Sequence, residues 1–192
     1  MGRPRKFDEA EALGAALDVF WTSGFEGAST TELAGRMGIG AQSLYNTFGD
    51  KRALFDRALA HYRALYVDAL LAPLEAADAG LEGVRSYFDT VVEALASDPA
   101  ARGCFLVKST VDLGAVDPAM AALAREHFDR MEAAMTRALT RAKKDGMLRS
   151  TERPRALAKH LVVCAAGLSV LARSGADRKA LRQAARVAVN AL

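Results

Sequence analysis

The sequence predicts an all-α protein, with an N-terminal three-helix unit built on a helix-turn-helix and a C-terminal helical bundle. Three observations carry this. Hydrophobic residues make up 51% of the 192, many of them Ala and Leu, which favour helix and suffice for a sizeable core. Strand-favouring residues never alternate with polar ones over a useful length. Breakers recur at helix-length intervals: Gly80, Asp98-Pro99, Gly114, Asp117-Pro118, Asp145-Gly146 and Ser174-Gly175.

Charge is informative by its placement. The net charge is only +3, and residues 1–63 carry eight Lys and Arg against eight Asp and Glu. The basic excess of that part sits in the first six residues, at Arg3, Arg5 and Lys6. Nucleic-acid binding therefore cannot be argued from bulk charge. Gly2-Arg3-Pro4-Arg5 has the composition of a minor-groove arm, since Pro keeps the backbone extended and Arg suits a narrow, negative groove. A merely solubilising terminus would look the same.

The first helix is predicted to start at Asp8, with Glu11 completing a capping pattern and Leu13, Ala16, Leu17 and Phe20 facing inward. Gly24 should stop it. Ser29-x-x-Glu32 is a capping box that opens the second helix, whose Leu33, Ala34 and Met37 face inward before Gly38. The third helix begins near Gly40, anchored by Leu44 and Phe48 together with Ile39. That leaves Ala41, Gln42, Ser43, Tyr45 and Asn46 outward. Gln and Asn can pair with adenine edges, Ser bonds either way, and Ala packs on a thymine methyl. Tyr45, Thr30, Thr31 and Thr47 suit phosphate oxygens. Residues 29–48 thus read as a helix-turn-helix whose second helix enters the DNA major groove. An ordinary polar helix face shares the spacing.

Asp50 caps a long fourth helix that packs through Leu54, Phe55 and Ala58 and continues to about Leu71, where Pro73 should end it. About 22 residues make a rod about 33 Å long. Five more helices are predicted near Leu81–Ser97, Arg102–Leu113, Pro118–Lys144, Arg153–Arg173 and Asp177–Ala191.

The run Gly38-Ile39, Ser43-Leu44-Tyr45, Phe48-Gly49-Asp50-Lys51 and Leu54-Phe55 closely resembles the signature of the Tet repressor (TetR) family, over roughly residues 6–66. Phe20, Gly24-Phe25 and Ser29 fit the same pattern. Gly40 and Gln42 depart from it where the family often has Ser and a small residue. The resemblance implies about nine helices, a reading domain at 1–49 and a ligand-binding and dimerisation domain at 50–192. It implies that Tyr45 and Lys51 hold phosphates, that Gln42, Ser43 and Asn46 approach bases, and that the fourth helix transmits ligand binding. Arg102-Gly103-Cys104-Phe105-Leu106-Val107 followed by Asp117-Pro118 is similar to one C-terminal subtype of the family.

The last two helices carry small or apolar residues on more than one face, at Leu157, Leu161, Ala165, Leu168, Leu181, Ala184, Ala185 and Ala188. Burial on more than one side suggests a two-fold dimer through these positions. A dimer would set two reading helices roughly 34 Å apart, as a palindrome requires. Between the fourth and seventh helices the family keeps its effector pocket. Candidate lining residues are Tyr62, Tyr66, Phe88, Val92, Cys104, Phe105, Met120, Leu123, His127, Phe128 and Met131, a set that also suits plain core. Its character points to a small, mainly apolar or aromatic effector. Cys104, between Arg102 and Lys108, has the surroundings of an electrophile-sensing thiol, although a buried inert cysteine is the better fit; Cys164 looks inert.

No catalytic constellation is found. His61, His127 and His160 lie far apart without metal-ligand spacing, and no phosphate-cradling loop follows a strand. Neither a cofactor, a metal nor an enzymatic activity is expected. No uncharged apolar run of about 18 residues is present, so no membrane span is expected. The charged N-terminus has no signal-peptide core, and two cysteines sixty residues apart suit a reducing cytoplasm.

The function expected is a ligand-responsive DNA-binding transcriptional regulator, a repressor that binds a palindromic operator as a homodimer and is released by a small effector. Alternatives are an activator, a ligand-independent DNA-binding protein, or an all-helical enzyme or interaction module with a vestigial helix-turn-helix.

Overall fold

The computed structural model describes residues 7–192, and its elements are helical throughout. Two compact units divide at Val67 and Asp68. The predicted arm residues Arg3 and Arg5 lie outside the described residues.

The N-terminal unit contains α1 (Glu9–Gly27), α2 (Thr30–Arg36), α3 (Ala41–Phe48), α4 (Lys51–Tyr62) and a π turn at Arg63–Val67. Asp8 caps α1 by accepting from the amides of Ala10 and Glu11. Ala12, Ala16, Leu17, Val19, Phe20 and Trp21 are buried, while Leu13, predicted inward, is half-buried. Gly24 breaks the helical geometry at φ +78°, a left-handed value that favours Gly, and one further turn carries α1 to Gly27. The core is aromatic. Phe55 meets Phe20 edge-on at 5.2 Å and Phe25 at 5.1 Å. Trp21 meets Tyr62 at 5.0 Å and Tyr66 at 5.6 Å. Because α4 packs along α1, the compact unit runs on to Val67, well past the division at 49/50 that follows the end of the helix-turn-helix.

The C-terminal unit begins with α5 (Asp68–Glu75) and continues through α6 (Leu81–Ser97), α7 (Phe105–Leu113), α8 (Pro118–Lys144), α9 (Pro154–Arg173) and α10 (Arg178–Asn190). Taking α4, the π turn and α5 as one helical run gives nine runs among the described residues. Pro73 does not end that run, contrary to the sequence expectation; it sits inside α5, two residues before its end. So close to the C-terminus, Pro removes a donor with little helix left to disrupt. Its carbonyl is approached so closely by Gly83 that a Cβ there would lie 2.7 Å away.

α7 begins at Phe105, three residues later than predicted. Asp98 explains the delay: its carboxylate accepts the Arg102 amide at 2.8 Å and the Arg102 guanidinium at 3.1 Å, closing a tight loop. Gly103 then takes φ +70° against α9, and the Cys104 amide donates to Ser169 Oγ at 2.7 Å. Ion pairs fasten the outer helices. Arg130 of α8 holds Asp68 and Glu75 of α5, and Glu93 of α6 accepts from Arg178 and Arg182 of α10.

Among the described residues α9 is long and apolar enough to cross a membrane, by length and composition alone, which differs from the sequence expectation. It packs against α8 and α10, and Arg155 at its start pairs with Glu132.

Candidate nucleic-acid interface

The helix-turn-helix is set by backbone chemistry as the sequence predicts. Ser29 Oγ accepts the Glu32 amide at 3.0 Å and opens α2. The chain turns at Gly38, φ +66°, where the Ile39 amide reaches back to the Ala34 carbonyl at 3.1 Å. This geometry admits Gly without strain and sends α3 off at a new angle. α3 is then fixed by two fully apolar anchors, Leu44 and Phe48, both buried.

Everything else on α3 points away from the core. Ala41, Gln42, Ser43, Tyr45 and Asn46 are exposed, Tyr45 by 47%, and Thr47 is half-buried. Thr31 is exposed and Thr30 half-buried at the start of α2. The two amide side chains are ordered by each other, with Gln42 Nε2 donating to Asn46 Oδ1 at 3.0 Å. The structure therefore brings together the residues proposed to read bases. Gly40 caps α3 without a side-chain hydrogen bond. The Lys51 ammonium lies 4.6 Å over the Phe25 ring, which holds it at the start of α4.

Sequence reasoning passed over Arg57. From α4 its guanidinium donates to the Thr47 carbonyl at 3.3 Å, stacks 4.7 Å from the Phe48 ring and pairs with Glu9. Nothing local signals this; only the fold brings positions 9, 47 and 57 together.

In the C-terminal unit Phe88, Val92, Phe105, Met120, His127 and Met131 are buried, while Cys104, Leu123 and Phe128 are half-buried. Tyr87, which the sequence did not single out, joins them with its hydroxyl on Met131 Sδ at 2.9 Å. Burial, with the Cys104 sulfur nearby, pushes the Tyr87 phenol well above its ordinary value, so it stays a donor. The cations expected to activate Cys104 are already engaged: Arg102 pairs with Asp98 and Lys108 with Asp112. Both cysteines are free thiols, and burial pushes Cys164 up. Tyr62 is buried against Trp21 in the core of the N-terminal unit, whereas Tyr66 is 44% exposed.

Of the eight residues expected at the dimer interface, most turn into their own unit. Leu157, Leu161, Ala165, Leu168, Leu181, Ala185 and Ala188 are buried inside their own unit, and of the eight only Ala184 is exposed. α9 packs on α8 and α10 on α6, so the larger apolar stripes turn inward. The outward faces of the same helices still carry Val163, Gly167, Val170, Ala184 and Val187, the valines being 68%, 55% and 67% exposed.

Comparison with known proteins matches this geometry. Residues 12–58 match the model of bacterial regulatory proteins of the tetR family, and residues 80–188 match the tetracyclin repressor-like C-terminal domain. The HTH-type transcriptional regulator YezE of Bacillus subtilis (strain 168) is 33% identical, with the alignment covering 100% of both chains. The HTH-type transcriptional repressor ComR of Escherichia coli (strain K12) is 27% identical over 96% of this chain and 88% of its own. Among solved structures, a cysteine-substituted TetR family regulator CifR complexed with 26-bp operator DNA superimposes with a TM-score of 0.85 at 33% identity, covering 99% of each chain.

The chain belongs to the TetR family of bacterial regulatory proteins. It is a helix-turn-helix transcriptional regulator, and the relatives it matches are regulators rather than enzymes. Among the described residues no group of three or more His, Cys, Asp or Glu is placed to hold a metal ion.

Proposed function

We propose that the protein is a homodimeric repressor that occupies a palindromic operator and leaves it when a small molecule binds its C-terminal unit. The observation that carries this is the two-faced α3. Leu44 and Phe48 are buried while Gln42, Ser43, Tyr45 and Asn46 are exposed on the helix following a Gly38 turn. Support comes from the relatives, one described as a repressor and one seen on operator DNA. Gln42, Ser43, Asn46 and Ala41 are assigned to base edges. Tyr45, Thr30, Thr31, Thr47 and Lys51 are assigned to phosphates, with Arg3 and Arg5 in the adjacent minor groove. Acting on DNA, the protein would work in the cytoplasm.

The C-terminal unit supplies the partner face and the switch. A second copy would cover Val163, Val170, Ala184 and Val187, with Gly167 allowing close approach, since exposed apolar stripes on two neighbouring helices suit self-association. The buried set around Phe88, Phe105, Met120, His127 and Met131 suits an apolar or aromatic effector. Such a molecule acts by favouring a state whose reading heads no longer match the half-site spacing.

Mobility shift on the DNA upstream of the protein's own gene tests the reading. Salt-dependent binding that Tyr45→Ala weakens supports it, and no binding to any genomic fragment would end it. Cys104→Ser separates the effector classes: release by a quinone that survives the substitution rules out the thiol as sensor.

A further inference from the structure

α3 is held from one side by its buried anchors and from the other by a single charged side chain. Arg57 of α4 makes three contacts at once: the Thr47 carbonyl in the last turn of α3, the face of Phe48, and Glu9 in the first turn of α1. These are different kinds of interaction made by different parts of one planar group, so together they fix its orientation more than any one would. Phe48 is one of the two anchors of the reading helix, and its ring also meets Phe7 at 6.5 Å. The guanidinium thus joins α1, α3 and α4 at the end of α3 opposite Gly40.

We propose that Arg57 is a positioning residue for DNA reading, fixing the pitch of α3 so that Gln42, Ser43 and Asn46 meet base edges together. This rests on the DNA-reading role proposed above. Base-edge hydrogen bonds are directional and fail with small tilts, whereas phosphate contacts tolerate them. Loss of Arg57 therefore removes discrimination between sites before it removes affinity for DNA in general. Lys at this position keeps a point charge for Glu9 but cannot fork to Thr47 and lie flat on Phe48.

The test compares the native protein with Arg57→Met, Arg57→Lys and Glu9→Gln, all well below their melting temperatures. The probes are a duplex carrying the site the native protein selects from genomic fragments and a scrambled duplex of equal length. Arg57→Met is expected to bind the selected site about tenfold more weakly and the scrambled one unchanged, with Arg57→Lys recovering only part of the difference. Equal losses on both duplexes, or none on either, would overturn the proposal. Should Arg57→Met fail to fold, Glu9→Gln carries the same comparison, with a roughly threefold loss of discrimination expected from removing one of the three contacts.

Hydrogen exchange of the DNA-free protein keeps this question apart from that of the operator. The Gly49 amide donates to the Tyr45 carbonyl at 3.0 Å and closes the last turn of α3. It should exchange faster in Arg57→Met, or in Glu9→Gln, while amides in the middle of α4 do not. If the native protein selects no site, the regulatory reading fails, and this exchange difference alone decides whether Arg57 holds α3.

Discussion

Gln42 and Asn46 hold each other across one turn of α3, amide nitrogen to carbonyl oxygen at 3.0 Å. Each side chain keeps hydrogen-bonding capacity beyond this contact, so the pair presents an ordered surface with both donors and acceptors. Replacing Gln42 by Ala removes one reader and releases the other. Discrimination at the contacted base pairs should fall by about 1–3 kcal/mol, measured by competition between the selected site and its single-base variants. A uniform loss across all variants would place Gln42 on the backbone instead.

Tyr45 should behave in the opposite way. It stands 47% exposed on the same helix and is assigned to a phosphate. Tyr45→Ala is expected to weaken all duplexes by a similar factor, on the order of tenfold, leaving site preference intact. Titration on matched and mismatched duplexes checks this.

Self-association should depend on the outward, not the inward, residues of α9 and α10. Val163→Asp with Val187→Asp places charge on two exposed positions that have no role in the subunit's own core. The double variant is expected to sediment as a folded monomer and to lose operator affinity. Leu161→Ala, by contrast, empties a fully buried site and should lower stability by about 2–5 kcal/mol through the cavity it leaves.

Gly103 is a strain test. Its φ is +70°, and a Cβ there would lie 2.7 Å from the Ser169 carbonyl oxygen. Gly103→Ala should cost about 1–3 kcal/mol in denaturant unfolding, since both the backbone and the α7–α9 approach resist it. Ser169→Ala leaves the Cys104 amide without its acceptor and should cost about 1–3 kcal/mol.

Acid stability should carry the mark of Glu75. Hydrogen bonds from the Arg130 guanidinium outweigh its partial burial and hold its carboxyl below the ordinary 4.5. A depressed carboxylate contributes stability that is present above its unfolded value and lost as pH falls through the folded one. Glu75→Gln should therefore lower stability by up to about 1 kcal/mol near neutral pH and make no difference once the native carboxylate is protonated. Urea melts at a series of pH values would show the two curves converging on the acid side.

The helix-turn-helix was legible because its determinants are local. A capping Ser29, a turn at Gly38 and anchors four residues apart at Leu44 and Phe48 are all written within one short stretch. The faces of α9 and α10 were harder to read for a related reason. Periodicity locates the apolar stripe of α10 but cannot say whether Leu181 or Val187 faces the subunit's own core; that is decided by α6, nearly a hundred positions earlier. Arg57 and Trp21 were invisible for the same cause, since their partners come from other helices. Pro73 shows the limit of a local rule, because its effect on a helix depends on how much helix follows. The start of α7 moved for a side-chain reason, as Asp98 captures the Arg102 backbone and forms a loop where helical spacing alone predicts a first turn.

α1, α2 and α4 each begin on an acidic or hydroxyl side chain that accepts their first amides: Asp8, Ser29 and Asp50. α3 begins on Gly40, which offers none. The Ser43 amide turns back to the Gly40 carbonyl at 2.9 Å instead, and we propose that an operator phosphate takes the place of water at the amides before it. On that proposal the reading helix is finished by the molecule it reads. A substitution that closed the gap, such as Gly40→Asp, would steady the protein alone while turning a negative charge toward the duplex. Stability of the free chain and occupancy of its site are thus opposed at this one position.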